Sequence, residues 1–178
     1  MKRTAVVIIL TLVSALALIG GDDELIDRKF PDFTFKTLDK EELVLSEFCE
    51  ENPTIVTFWA TWCKPCVKEL GKLKEMKPEL DARGVKVIAI CEDGPRTQAK
   101  IKPFVRKEGW DFIICLDSDG KLKSKVGVAD IPEFFILKSD MQIAYHHVSF
   151  KPGDEVEYLE QIEKLFPVLE EEKEIEEQ

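Results

Sequence analysis

The sequence predicts an α/β sandwich, in which a mixed β-sheet is covered by helices on both faces. Two short, nearly apolar runs, Thr54–Trp59 (TIVTFW) and Val85–Ile90 (VKVIAI), read as buried strands, and each precedes apolar residues at helical spacing. A later pair of runs, Phe134–Leu137 and Met141–His147, flanks Ser139-Asp140 as a hairpin does, and a closing helix follows. Strand–helix units need parallel pairing and a hairpin needs antiparallel pairing, so the sheet is mixed. The chain has 178 residues, 44% of them hydrophobic, which suits one domain with a real core.

The chain opens Met1-Lys2-Arg3 and then runs uncharged from Thr4 to Gly21, with Ala15-Leu16-Ala17 as a small-x-small site. A basic start, an apolar run and a small-residue site predict an export signal over residues 1–17, or an uncleaved anchor over 4–21 near the lower limit of bilayer-spanning length. A linker over residues 18–29 leads to a domain spanning 30–169. Phe33–Thr37 and Glu42–Leu45 flank an Asp39-Lys40 turn and predict an entering hairpin, after which Ser46 is placed to cap a short helix through Cys49.

Behind Thr54–Trp59, Val67, Leu70, Leu73 and Met76 predict a helix from Lys64 to Leu80, stopped by Arg83-Gly84. Beyond Val85–Ile90 come a helix over Thr97–Lys107, a strand over Phe112–Leu116, a turn at Asp117–Gly120 and a short helix over Lys121–Val126. Asp154–Phe166 closes the fold with Val156, Leu159, Ile162 and Leu165–Phe166 as its apolar side. The acidic tail, 170–178, holds six Glu and one Lys and reads as a solubilising end.

Charge excludes one class of function. The chain carries 35 acidic and 25 basic side chains, net −10, and loss of Lys2 and Arg3 with a signal would leave −12. That balance opposes nucleic-acid binding, which needs clustered Lys and Arg. Five cysteines are too few for a disulfide scaffold, and an odd number cannot all pair within one chain.

The sharpest motif is Trp59-Ala60-Thr61-Trp62-Cys63-Lys64-Pro65-Cys66, set where a buried strand gives way to a helix. Cys63 at a helix N-terminus has unpaired N–H groups to stabilise a thiolate. Pro65 suits the first turn, where its missing N–H costs little, and Lys64 adds positive charge. Cys66, one turn further in, is placed to resolve a mixed disulfide. Zinc sites share the Cys-x-x-Cys spacing, but Cys49, Cys91, Cys115 and His146-His147 are isolated and supply no second ligand pair. The pair therefore reads as redox-active, with no metal and no cofactor.

Trp-Ala-Thr-Trp-Cys-x-Pro-Cys after a strand resembles the thioredoxin-fold family. The export signal, the entering hairpin and the strand–helix insertion over residues 92–116 resemble its extracytoplasmic thiol–disulfide oxidoreductases related to TlpA and ResA. The resemblance covers about residues 30–167 and implies a thioredoxin-like α/β/α sandwich with a central mixed sheet. It also implies a cis proline facing the disulfide, matched by Ile131-Pro132, with the Ile131 backbone pairing an extended substrate segment.

The resemblance further implies that Glu69, three residues after Cys66, tunes the cysteines; a solvated helix glutamate is the alternative. Glu133, after Pro132, resembles the cytochrome c maturation branch, or is plain surface charge. Trp62 would shield Cys63 and contact a partner. Cytosolic thioredoxins usually carry a buried Asp before Phe-Trp, whereas this chain has Thr57, to which the acid role does not transfer. Relatives often kink the helix with proline where this chain has Gly71, which permits a bend at a cost in propensity.

The implied activity is reduction of disulfides in exported proteins, such as apocytochrome c, in the periplasm or cell envelope, with a membrane thiol donor restoring the pair. Two rivals are a thiol peroxidase, which lacks a peroxidatic motif leading from Pro53 into Cys63, and a non-catalytic scaffold with a static staple. Cys91 and Cys115 read as buried free thiols, or as a bridge if their strands are neighbours; Cys49 reads as a core residue. His146 and His147 alternate along a strand, so at most one faces any given site.

Overall fold

The computed structural model describes residues 25–168. The predicted signal or anchor, most of the linker and all of the acidic tail lie outside the described residues. Leu25 and Ile26 already pack on the core, and Lys29 bridges to Gln142.

Strands β1 (Thr34–Lys36) and β2 (Glu42–Val44) form the entering hairpin, with Phe35 opposite Leu43. Helix α1 (Leu45–Glu51) follows directly. Its Ncap is Val44, which offers no side-chain cap. The expected cap is corrected: Ser46 lies inside the helix, and its N–H and hydroxyl donate to Asp32 at 3.0 and 2.8 Å. The acceptor that a capping side chain usually supplies therefore comes from 14 residues upstream.

The main sheet has the order β5-β4-β3-β6-β7. Its centre is β3 (Thr54–Trp59), buried at every position, parallel to β4 (Lys86–Cys91) and antiparallel to β6 (Glu133–Leu137). The outer strands are β5 (Ile113–Leu116), parallel to β4, and β7 (Ile143–Val148), antiparallel to β6. The turn between β6 and β7 carries Ser139 and Asp140, as the sequence predicts.

The helix expected over 64–80 divides. Helix α2 spans Lys64–Glu75 and α3 spans Lys77–Ala82, with Met76 between them. Pro78 explains the break, because in a continuous helix it would lack the N–H for the Lys74 carbonyl and its ring would strike that carbonyl. At Gly71 α2 runs on without interruption. The expected helix over 97–107 becomes a 3₁₀ turn (Gln98–Lys100) feeding α4 (Ile101–Glu108), which ends where Gly109 takes a left-handed conformation, φ 66°. Helices α5 (Lys121–Val126) and α6 (Asp154–Leu165) occupy the predicted spans, but the apolar side expected of α6 is corrected: Tyr158 and Ile162 are the buried residues, and Val156 is 58% exposed.

Two cores sandwich the sheet. On one face Ile55, Trp59, Ala89 and Phe134 meet Leu70 and Leu73 of α2, Ile101 and Val105 of α4, and Tyr158 and Ile162 of α6. On the other, Val56, Phe58, Ile88 and Phe135 meet Phe30, Phe33, Phe35 and Leu45, closed by Leu122 and Val126 of α5. This is the thioredoxin-like α/β/α sandwich.

Register settles the stray cysteines. The strands β4 and β5 are neighbours, but Cys91 pairs with Leu116 while Cys115 pairs with Ile90. One residue of offset sends the two side chains to opposite faces, Cys91 into the first core and Cys115 into the second. Both are free and buried, as is Cys49. Burial pushes all three thiols up, Cys115 to about 12.

Candidate active site

The site lies at the end of β3 where the chain turns into α2. Cys63 is the Ncap of α2, in extended conformation, and the Cys66 N–H donates to its sulfur at 3.3 Å. The two cysteines form a disulfide with Cα atoms 5.3 Å apart. Pro65 occupies the first turn, as its missing N–H requires. Cys63 is 5% exposed and Cys66 wholly buried, whereas Trp62 projects beside them at 66% exposure. Lys64 is exposed and Pro65 half-buried.

The loop before Cys63 is held by the segment that follows β4. The Thr61 N–H and hydroxyl donate to Asp93 at 2.7 and 2.8 Å, and the Cys91 thiol lies 3.3 Å from the same carboxylate. Burial works against the Asp93 charge, but hydrogen bonds from Thr61, Thr97 and Cys91 together hold the carboxyl below its ordinary range. The Glu92 N–H to Trp59 carbonyl bond (2.8 Å) and the Cys63 N–H to Ala60 carbonyl bond (3.0 Å) complete the turn.

The Ile131–Pro132 peptide is cis, and the Ile131 carbonyl oxygen is 3.8 Å from Cys63 Sγ. Of the residues singled out in sequence, Trp62, Cys63, Lys64, Pro65, Cys66, Ile131 and Pro132 therefore share one end of the sheet.

Glu69 lies on the buried side of α2, with no exposed surface. Its Oε2 accepts from the Thr57 hydroxyl at 2.6 Å and its Oε1 from the Tyr158 hydroxyl at 3.1 Å. Desolvation raises this carboxyl to about 7 in spite of both donors. It is a buried acid rather than a solvated helix residue. Thr57 occupies the strand position where cytosolic relatives carry an acid, and here it donates to an acid borne on the helix instead.

Glu133 is also buried, but on the opposite face of the sheet from Glu69: it alternates with Phe134, which faces Tyr158. Its carboxylate lies 2.9 Å from His146 Nε2, and the imidazole stacks on Phe135. His146 Nδ1 is buried with no hydrogen-bond partner among the described residues. His147, one residue on, points the other way and meets Asp154 at 3.2 Å.

Sequence reasoning missed Asp93, Tyr158 and the His146 partner of Glu133. Asp93, two residues past a buried strand that adjoins the cysteine strand, offered a positional hint. Tyr158 offered none, being 89 residues from the carboxyl it meets. No group of His, Cys, Asp or Glu among the described residues is arranged to hold a metal ion.

Comparison with known proteins places this geometry among relatives. The model of the AhpC/TSA family matches residues 26–146. The thiol-disulfide oxidoreductase ResA of Bacillus thuringiensis is 28% identical over 138 residues, 77% of this chain and 78% of the relative. A crystal structure of a thiol:disulfide interchange protein DsbE from Chlorobium tepidum, so described provisionally, superposes with a TM-score of 0.72 at 25% identity, covering 79% of this chain and 97% of that one. StoA from Bacillus subtilis shares the fold at a TM-score of 0.59 and 23% identity, over 73% of this chain and 96% of its own.

Proposed function

The chain belongs to the AhpC/TSA family with a thioredoxin fold like that of ResA, and from that premise we propose that it is a thiol–disulfide oxidoreductase working through Cys63 and Cys66. The observation that carries the reading is the disulfide itself, seated at the start of α2 beside the Ile131 carbonyl and three residues from a buried acid. A static staple has no use for a buried carboxyl one turn along the same helix.

In the reducing direction the Cys63 thiolate attacks one sulfur of a client disulfide. The client S–S bond breaks, and its first thiolate leaves and takes a proton from water. Cys66 gives its proton to the Glu69 carboxylate and attacks Cys63. The client's second thiolate leaves, and two electrons have passed from the cysteine pair to the client. The Ile131 backbone would align an extended client segment, with Pro132 shaping that edge and Trp62, Lys64 and Pro65 bordering it. Glu133, backed by His146, would mark the same edge from the other face.

The clients we propose are exported proteins, including apocytochrome c, in the periplasm or an equivalent compartment of the cell envelope. This rests on the basic-then-apolar residues 1–21 and on the resemblance to ResA. A membrane thiol donor would restore the reduced pair, and residues 30–169 would act as one thioredoxin-like domain behind an export signal or anchor. A peroxidase reading has less support. Pro53 and Thr57 have the spacing of a Pro-x-x-x-Thr-x-x-Cys motif, but the cysteine position is Ala60.

Cys66→Ser tests the reading and identifies the client, because it stops the reaction at the mixed disulfide on Cys63. Trapped client proteins are the expected outcome. Absence of any trapped species from the native compartment, together with failure to reduce insulin disulfides, would refute it. A Cys63/Cys66 potential well above about −200 mV would reverse the direction, since strong oxidants lie near about −120 mV.

A further inference from the structure

Each oxygen of the buried Glu69 carboxyl faces a single hydroxyl, Thr57 at Oε2 and Tyr158 at Oε1. Thr57 belongs to the strand that leads into the cysteine loop. Tyr158 comes from α6, and its ring lies flat on Phe134, with centroids 4.0 Å apart and planes 9° from parallel. Phe134 stands two residues after the cis proline. The phenol is thus clamped by the strand that starts at the client edge, and its hydroxyl reaches the acid under the cysteines.

The charged and titratable surroundings of this network come from three elements. On α6, Asp154 disfavours the Glu69 charge. On β7, His147 holds Asp154, and Tyr145 and His147 have ring centroids 6.0 and 5.5 Å from that of Tyr158. On α2 itself lie the two cysteines and Lys72, which meets Glu155 of α6 at 3.8 Å on the outer surface. Burial and the neighbouring Glu69 both push the Tyr158 phenol up, so it keeps its proton throughout and serves only as a donor.

We propose that Tyr158 is a positioning residue for disulfide exchange: by donating to Glu69 Oε1 it fixes the orientation and charge state in which that carboxyl trades a proton with Cys66. Tyr158 transfers nothing itself. The Cys66 proton moves to Glu69, the Cys66 sulfur forms the new bond to Cys63, and the leaving thiolate is the client's. The inference rests on the exchange activity proposed above.

The reduced chain is mixed with 5,5′-dithiobis(2-nitrobenzoate), and the second release of thionitrobenzoate, which reports Cys66 closing on Cys63, is followed against pH. Tyr158→Phe keeps the stacked ring but removes the donor. It should move the midpoint of this profile upward by about one pH unit, as expected for loss of one hydrogen bond to a charged group. In a Glu69→Gln background the same change should produce no shift. An unmoved midpoint, or an equal shift with and without Glu69, overturns the proposal.

The chain has only two tyrosines, so in a Tyr145→Phe background biosynthetic 3,5-difluorotyrosine labels Tyr158 alone. This substitute preserves the ring and strengthens the donor, so its midpoint should fall relative to unlabelled Tyr145→Phe. It decides the matter should Tyr158→Phe fail to fold, and a midpoint that stays or rises overturns the proposal. If wild-type protein gives no second release at any pH, exchange itself fails, an outcome distinct from a normal profile that ignores Tyr158.

Discussion

Replacing Glu69 by glutamine removes the only charge that α2 buries beneath the sheet, and the effect on stability has a definite sign. Burial lifts this carboxyl from an ordinary 4.5 to about 7. The folded chain therefore holds the proton more tightly than the unfolded chain and binds more protons between those values. Wild-type stability falls as pH rises through that window and levels off above about 7. The full decline is about 3 kcal/mol, the work of ionising the group in its buried site.

Glutamine carries no such burden. It keeps one oxygen as acceptor and presents an amide to the other hydroxyl, a mismatch costing about 1 kcal/mol at every pH. Glu69→Gln should thus be slightly less stable than wild type near pH 4 and more stable by about 2 kcal/mol near pH 8. Urea denaturation of both oxidised proteins at intervals from pH 4 to 8 measures the difference directly. A difference that stays flat across this range would show that Glu69 does not titrate there, and the assignment of proton chemistry to it would fall.

Other outcomes follow from the same structure. In the reduced native chain two thiols, Cys63 and Cys66, should react rapidly with a disulfide reagent near neutral pH, and Cys49, Cys91 and Cys115 only after unfolding, as counted by peptide mapping. Asp93→Ala strands the Thr61 donors and should cost about 2 kcal/mol in chemical denaturation, with slower disulfide exchange because the loop before Cys63 loses its tether. Trp62→Ala should change stability by less than about 0.5 kcal/mol while raising KM for protein disulfides more than for small ones. Gly71→Ala meets no atom within 4 Å and should stabilise α2 by about 0.5–1 kcal/mol in thermal or urea melts.

What could be read from sequence was what neighbouring residues decide. The apolar, β-branched run Thr54–Trp59 specifies a buried strand wherever it lies, and Cys-x-Pro-Cys after it specifies a redox pair at a helix start. What escaped depended on residues far apart in the chain. Asp32, not Ser46, supplies the acceptor at the start of α1 because the preceding segment folds back on it. Cys91 and Cys115 read as free thiols with a bridge as the alternative, and only the register, a one-residue matter that no local pattern encodes, decides between them by putting the two on opposite faces. Thr57 read as a plain strand residue because its partner, Glu69, becomes adjacent only when α2 packs on the sheet. The division at Met76 is local, since Pro78 interrupts a helical spacing of apolar residues that by itself runs unbroken to Leu80.

Placing the acid on α2 rather than on the central strand changes what motion can do at this centre. Cys63, Cys66 and Glu69 ride on one turn-and-a-half of the same helix, so a tilt or slide of that helix against the sheet leaves their mutual spacing intact. What such a movement alters is the pair of donors, since Thr57 and Tyr158 belong to other elements. A client that levers α2 on docking would thus act on the proton affinity of the carboxyl without separating it from the sulfurs, coupling mechanical contact at the rim to acidity underneath.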